Sequence, residues 1–147
     1  SVNVADKFIA NGLIVSTRGR SDGEDADYQA HSTGTWQTPL YVLIDKDSAS
    51  ASEILAGAIR DHHRGVVIGE RSYGKGSVQG IFRLNNKIGI RLTTAKFYSP
   101  SGRAISDNGV LPDVSVELVA RVDPDGGVLP LSQDPAIRAS LELARKK

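Results

Sequence analysis

Two short apolar runs with a helical stretch between them constrain this chain more than any other feature. Leu40-Tyr41-Val42-Leu43-Ile44 and Val66-Val67-Ile68-Gly69 are brief and continuous, the pattern of strands buried on both faces. Between them, Ile54, Leu55, Ala58 and Ile59 fall on one face of a helix that runs to about Asp61. Arg60, His62, His63 and Arg64 lie in or beyond its last turn, where positive charge suits the helix dipole. Strand, helix and strand in so short a space predict a right-handed parallel crossover. The bend from the first strand into the helix reads Asp47-Ser48-Ala49-Ser50-Ala51-Ser52-Glu53.

The flanking sequence fills out an α/β domain. Val2, Ala5, Phe8 and Ile9 have helical spacing, and Asn11-Gly12 supplies a stop. Residues 13–18 read as a strand. The polar stretch 19–36 holds a candidate hairpin turn at Asp22-Gly23 and a weak strand around Tyr28. Residues 78–84 and 88–98 predict an antiparallel pair around Asn85-Asn86-Lys87. Ser99-Pro100-Ser101-Gly102 is a turn, and Val114-Ser115-Val116 alternates like a short strand. A further turn is expected over 123–127, and Asp134-Pro135 opens a last helix running to about Lys146.

With 147 residues, the chain is expected to form a single domain, 1–147, large enough for a real core. It starts at Ser1 rather than Met and reads as a piece of something longer. A net charge of +1 gives no basic footprint, so no nucleic-acid partner is expected. No apolar run approaches the length of a membrane span. Cysteine is absent, which excludes disulfides and thiol chemistry. No metal-ligand spacing stands out, the adjacent His62 and His63 being a weak signal alone, and no cofactor is expected.

The chemistry concentrates in two places. A serine hydroxyl becomes a nucleophile only when a base removes its proton. At a strand-to-helix bend its side chain is exposed, and free N–H groups of the first turn can stabilise an oxyanion, the Ala51 N–H among them. The same residues also fit a capping box, with Ser50 at the cap and Glu53 three later. Chemistry alone leaves Ser48, Ser50 and Ser52 all open. The candidate base is Lys75, in Tyr73-Gly74-Lys75-Gly76-Ser77-Val78-Gln79. An unperturbed lysine is neutral in only about one molecule in 2,500 at pH 7. Use as a base therefore calls for burial without a carboxylate partner. The flanking glycines would let the turn pack against the helix start, Gln79 could hydrogen-bond the amine, and Glu53 and Glu70 should point elsewhere. A phosphate-binding loop is the rival reading of 69–75, but it needs Ser or Thr after the lysine and then a helix. Gly76 and a strand follow instead. His62 and His63 lie roughly 18 Å from Ser50 at the far end of the helix, too far for a triad. His31 sits in a polar loop that geometry leaves open.

Several separated motifs together resemble the carboxy-terminal processing (tail-specific) proteases, the S41 peptidases. These are Ser48-Ala49-Ser50-Ala51-Ser52-Glu53-Ile54, Gly69-Glu70-Arg71, Tyr73-Gly74-Lys75-Gly76-Ser77-Val78-Gln79, Leu92-Thr93-Thr94-Ala95 and Tyr98-Ser99-Pro100-Ser101-Gly102-Arg103. The resemblance runs from about Val4 to Val116. It implies Ser50 as nucleophile, Lys75 as base, Gln79 beside the lysine, and a partial ClpP/crotonase-like spiral α/β core with a mixed sheet flanked by helices. It also implies a serine endopeptidase that cleaves proteins near an apolar C-terminal tail. An extracytoplasmic location, in the bacterial periplasm or cell envelope, is implied as well. Members of the family carry a PDZ domain and an upstream glycine-rich oxyanion segment, and neither is recognisable in this sequence. The isolated chain is accordingly expected to be weak or inactive. Substrate is expected to add as a strand near residues 92–97. A non-catalytic module that binds peptide tails on the same fold is the alternative.

Overall fold

The computed structural model describes residues 1–20, 22–31, 34–84, 88–117 and 130–146. Its strands divide by sense into two sheets. The expected crossover forms β3 (Tyr41–Ile44), α2 (Ala51–Asp61) and β4 (Val66–Gly69), with β3 and β4 parallel from Tyr41↔Val66 to Ile44↔Gly69. A short strand, β7 (Val114–Ser115), adds parallel to the other side of β4, giving the order β3-β4-β7. The second sheet is antiparallel, ordered β2-β1-β6-β5, from β1 (Leu13–Gly19), β2 (Ala26–Gln29), β5 (Ser77–Arg83) and β6 (Gly89–Tyr98). Asp22–Glu24 is a 3-10 turn within the β1–β2 connection.

α2 is buried on more than the one face its periodicity suggests. Ile54, Ala58 and Ile59 join Ala5, Ile9, Ile14 and Val15 in the larger core. Ala56 joins Ile44, Val67 and Val110 in a second cluster. Small residues on the second face let the helix approach both layers, while Leu55 is only half-buried. Each fully buried Ile contributes roughly 1.5–3 kcal/mol of transfer free energy, so Ile14, Ile59 and Ile68 are the apolar anchors. β3 departs from expectation. It is an edge strand, and Leu43 is 38% exposed on its outer side rather than buried.

The chain ends differ in how closely they follow the pattern. The first helix, α1, covers only Val2–Ala5, and the turn continues through Phe8 N–H and Ile9 N–H to the Ala5 carbonyl. The last, α3 (Pro135–Arg145), forms as predicted. Asp134 caps it by accepting from the Ala136 and Ile137 N–H groups, with Pro at its first position. The turn expected over 123–127 and the Asn85-Asn86-Lys87 turn fall outside the described residues, whereas the strand expected at Val114-Ser115-Val116 forms as β7, with the Val116 N–H reaching the Gly69 carbonyl.

The β5–β6 hairpin carries an uncovered apolar face. Register pairs Gly80 with Leu92 and Phe82 with Ile90, and the Leu84 N–H reaches the Ile88 carbonyl. Phe82, Leu84, Ile88, Ile90 and Leu92 thus share one side and are all exposed. Ala95 and Lys96 lie between β1 and β5 and pair with both. The expected site for an added strand at 92–97 is therefore taken only in part: Ala95 and Lys96 already serve two neighbours, whereas Leu92 and Thr93 pair with β5 alone. Residues 89–94 are unpaired on the β1 side, and the outer edges of β5 and β2 are unpaired among the described residues.

The C-terminal end of α2 is tied to the turn after β6. Asp61 accepts from Ser101 N–H (3.0 Å), Ser101 Oγ (2.7 Å) and Arg103 Nη2 (3.1 Å). Burial opposes its ionisation, but the serine hydrogen bonds and the Arg103 charge outweigh it and hold the carboxyl below its usual value. A depressed carboxyl stabilises the fold above its unfolded pKa and loses that contribution as pH falls through the folded one. Asp61→Asn is therefore expected to lower the urea midpoint at pH 7. That deficit should shrink as pH drops below about 4, and a deficit that stays constant to pH 2 would show the clamp is not electrostatic.

Candidate active site

The β3–α2 bend is built from its own side chains. Ser48 Oγ donates to Asp45 Oδ1 (2.7 Å) and accepts from the Asp45 N–H (3.1 Å), folding residues 45–48 back on themselves. Its hydroxyl is therefore occupied in shaping the turn. Ser52 lies exposed on α2. Ser50, between them, has φ 55° and ψ −111°. That is the conformation of the first central residue of a type II′ turn, which glycine normally occupies. An ordinary N-cap sits in the β region, so capping alone does not account for this geometry. Strain of this kind costs roughly 1–3 kcal/mol and persists only where neighbours enforce it.

The enforcing neighbour is Glu53, which is 0% exposed. Its Oε2 accepts from the Ser50 N–H and from the Lys75 N–H, each at 2.8 Å. The two backbone nitrogens therefore lie less than twice that distance apart. Its Oε1 accepts from Ser72 Oγ (2.5 Å) and the Gly74 N–H (2.6 Å). Ser72 Oγ in turn accepts from the Val110 N–H at 2.7 Å, and the Tyr73 N–H donates to the Ser48 carbonyl at 2.9 Å. One carboxyl group thus joins the serine bend, the lysine turn and, through Ser72, the 105–110 segment. The expectation that Glu53 would point away from the lysine turn is corrected here. It faces the turn and holds backbone, and no ion pair links it to the lysine amine among the described residues.

The glycines that flank Lys75 are required because the turn, which reaches the start of α2 through Glu53 as the sequence suggests, is also pressed against residues 105–109. Gly74 has φ 91°, and a Cβ at Gly76 would meet Ser106 N at 2.2 Å. The turn is clamped against residues 105–109, with the Asp107 N–H donating to the Gly74 carbonyl. Lys75 itself is exposed, not buried, because nothing among the described residues covers its side of the turn. Gln79 is also exposed, on β5 opposite Thr93 just after a bulge. No hydrogen bond joins Gln79 to Lys75 among the described residues.

Of the N–H groups where α2 begins, Ser50's goes to Glu53, Ser52's to the Ala49 carbonyl and Glu53's to the Ser50 carbonyl. The Ala51 N–H has no partner within the helix and none among the described residues. It is thereby available to a developing oxyanion. The histidines are placed elsewhere. His62 Nε2 lies 2.6 Å from the Leu13 carbonyl at the far end of α2, and His31 pairs with Asp6. No group of three metal-ligating side chains occurs among the described residues.

A strained serine at a strand-to-helix elbow, a free N–H beside it and a lysine turn held against it meet at one bend of the α/β fold. The family model of peptidase family S41 matches residues 1–116. The chain is 48% identical over 118 residues to a carboxy-terminal-processing protease of Bartonella bacilliformis, covering 80% of this chain and 27% of that protein. It is 38% identical over 141 residues to a chloroplastic C-terminal processing peptidase of Tetradesmus obliquus, covering 93% and 30%. Among solved structures, the photosystem II D1 C-terminal processing protease superposes with a TM-score of 0.73 at 37% identity, covering 79% of this chain and 30% of that one. The chain belongs to peptidase family S41, and the expected partial α/β core of that fold class is the one observed. It spans only 27–30% of the length of these relatives.

Sequence reasoning assigned Glu53 only a capping role. The signal available was a glutamate immediately before the apolar run that starts at Ile54, since a carboxylate is almost never fully buried without partners. Glu53→Ala leaves several buried donors without acceptors. It is expected to destabilise the full-length protein by roughly 3–5 kcal/mol. Ser50→Gly relieves the positive φ and is expected to stabilise it by about 1 kcal/mol relative to Ser50→Ala. Urea unfolding of the three variants checks both, and a Ser50→Gly protein no more stable than Ser50→Ala would refute the strain.

Proposed function

We propose that this chain forms the catalytic core of a serine endopeptidase that cleaves polypeptides near their C-termini with a Ser50–Lys75 dyad. The observation that carries the reading is the Glu53 bridge, which brings the Ser50 and Lys75 backbones to one carboxylate oxygen at an accessible bend. Lys75 Nζ takes the proton of Ser50 Oγ as that oxygen attacks the scissile carbonyl. The Ala51 N–H stabilises the oxyanion of the tetrahedral intermediate. Collapse expels the amine, which takes the proton from Lys75, and leaves an ester on Ser50. Lys75 then accepts a proton from the water that hydrolyses the ester, and Ser50 recovers its hydroxyl. Gln79 is assigned the role of holding the amine toward Ser50 once substrate or the rest of the polypeptide covers the turn.

The names of the relatives support a substrate cut near its C-terminus. The apolar character of the tail, a PDZ domain elsewhere in the polypeptide and an extracytoplasmic setting are part of the same proposal. Their support is family membership and the chloroplastic assignment of one relative. Exposure of Lys75 and the unformed Gln79 bond support weak or absent turnover by the 147-residue chain alone. Loss of a single oxyanion donor already costs about a hundred- to a thousand-fold.

The test compares hydrolysis of an apolar-tailed peptide by the full-length protein, its Lys75→Ala and Ser50→Ala variants, and the isolated chain. Turnover is expected from the wild-type full-length protein only, with both variants folded. Near-normal rates in Lys75→Ala would eliminate the dyad. Equal tail binding by wild type and Ser50→Ala, with cleavage by neither, would establish the non-catalytic binding module instead. Robust Ser50-dependent turnover by the isolated chain would overturn the assignment of weak activity.

A further inference from the structure

A cavity of about 280 Å³ lies along the C-terminal half of α2, between that helix and the 99–111 segment. It is separate from the serine bend. Gly57, the nearest of its helical residues to Ser50, stands roughly 10 Å further along the helix axis, and Asp61 about 16 Å. The floor is aliphatic, made by Ile105, Val110 and Leu111, of which the first two are buried. Three guanidinium groups line the wall: Arg60, Arg71 and Arg103.

The charges around the cavity do not cancel. Arg103 is held by Asp61 (3.1 Å) and Ser101 (3.1 Å). Asp61 is fully engaged by that arginine and by Ser101, so it presents no acceptor looking for a cation. Arg60 is held through Nε by Asp113 Oδ1 (3.1 Å), whose other oxygen accepts from the Val67 N–H. Arg71 has no hydrogen bond or ion pair among the described residues, and it is exposed. Two paired arginines and one unpaired arginine therefore leave a single positive charge without a counter-charge. The Arg60 and Arg71 terminal N–H groups remain open to a planar acceptor, the geometry in which guanidinium binds carboxylates best.

We propose that this cavity is a binding site for a small monoanion, a carboxylate carried on an apolar body. The carboxylate sits against Arg71 and Arg60, and the body rests on Ile105, Val110 and Leu111. The volume lies just under the range of pockets for drug-sized ligands, so the occupant is of the size of one apolar residue with its carboxylate. A free organic acid and the carboxyl end of a polypeptide both offer that chemistry. The site does not depend on the dyad.

Titration calorimetry on the full-length Ser50→Ala protein tests it, with N-acetyl-leucine as probe, N-acetyl-leucinamide and inorganic phosphate as comparisons, and a pentapeptide ending in leucine. Saturable binding of N-acetyl-leucine is expected, at least tenfold tighter than the amide or phosphate. It should weaken tenfold or more in Arg71→Gln, a surface change whose urea midpoint should match the parent. Tighter binding of the pentapeptide would identify a polypeptide end as the source. Binding of N-acetyl-leucine with exclusion of the pentapeptide would identify a free acid. The proposal is overturned if N-acetyl-leucine does not bind, if the amide or phosphate binds equally well, or if Arg71→Gln leaves the affinity unchanged.

Discussion

The buried carboxyl group of Glu53 is the interaction on which the site depends. It accepts hydrogen bonds from three backbone N–H groups and one hydroxyl, drawn from two loops that are distant in sequence. Burying a carboxyl group is costly unless its oxygens are satisfied, and here each oxygen has two donors. The cost of desolvation is thereby offset by bonds that fix geometry. The helix that carries Glu53 is itself locked between two cores, so the carboxyl has little freedom to follow either loop if it drifts. Position passes from packed aliphatic side chains to a carboxyl, and from the carboxyl to the backbone at Ser50 and Lys75.

That arrangement explains how strain survives at Ser50. A non-glycine residue in a type II′ position relaxes unless something holds its N–H, and the Glu53 bond does so. The 45–48 turn, closed by Ser48 and Asp45, fixes the other side. The lysine turn is treated differently. It uses glycine where the backbone needs positive φ or close approach, at Gly74 and Gly76, and so it carries little strain of its own. Ser50 is held in place by force and the lysine turn by fit.

The two sheets divide the labour. The parallel sheet and α2 form a small, well-buried unit that presents the serine bend at the C-terminal edge of β3, where open α/β sheets place their sites. The antiparallel sheet delivers Gln79 and an apolar hairpin face that the described residues leave uncovered. Contiguous exposed apolar surface of this kind marks a contact with other structure. This is consistent with a chain that spans under a third of its relatives' length.

The sequence by itself determined the elements and most of their order. The crossover at 41–69, the β5–β6 pairing and the last helix were legible because periodicity, glycine turns and an Asp-Pro start are local signals. Family membership was legible because several motifs recur in order. Local chemistry left three serines as candidates, and the resemblance chose Ser50. The fold adds physical distinctions among them, since only Ser50 is strained and the Ser48 hydroxyl is occupied. What only the tertiary structure decided were the quantities set by neighbours distant in the chain. The full burial of Glu53 and its grip on Lys75 arise from residues twenty or so positions apart folding onto one helix turn. The packing of the Gly-Lys-Gly turn on 105–109, the half-exposure of β3 and the double pairing of Ala95 and Lys96 have the same origin. Periodicity reports which residues prefer to be inside, but which side of a turn is covered depends on the elements packed against it.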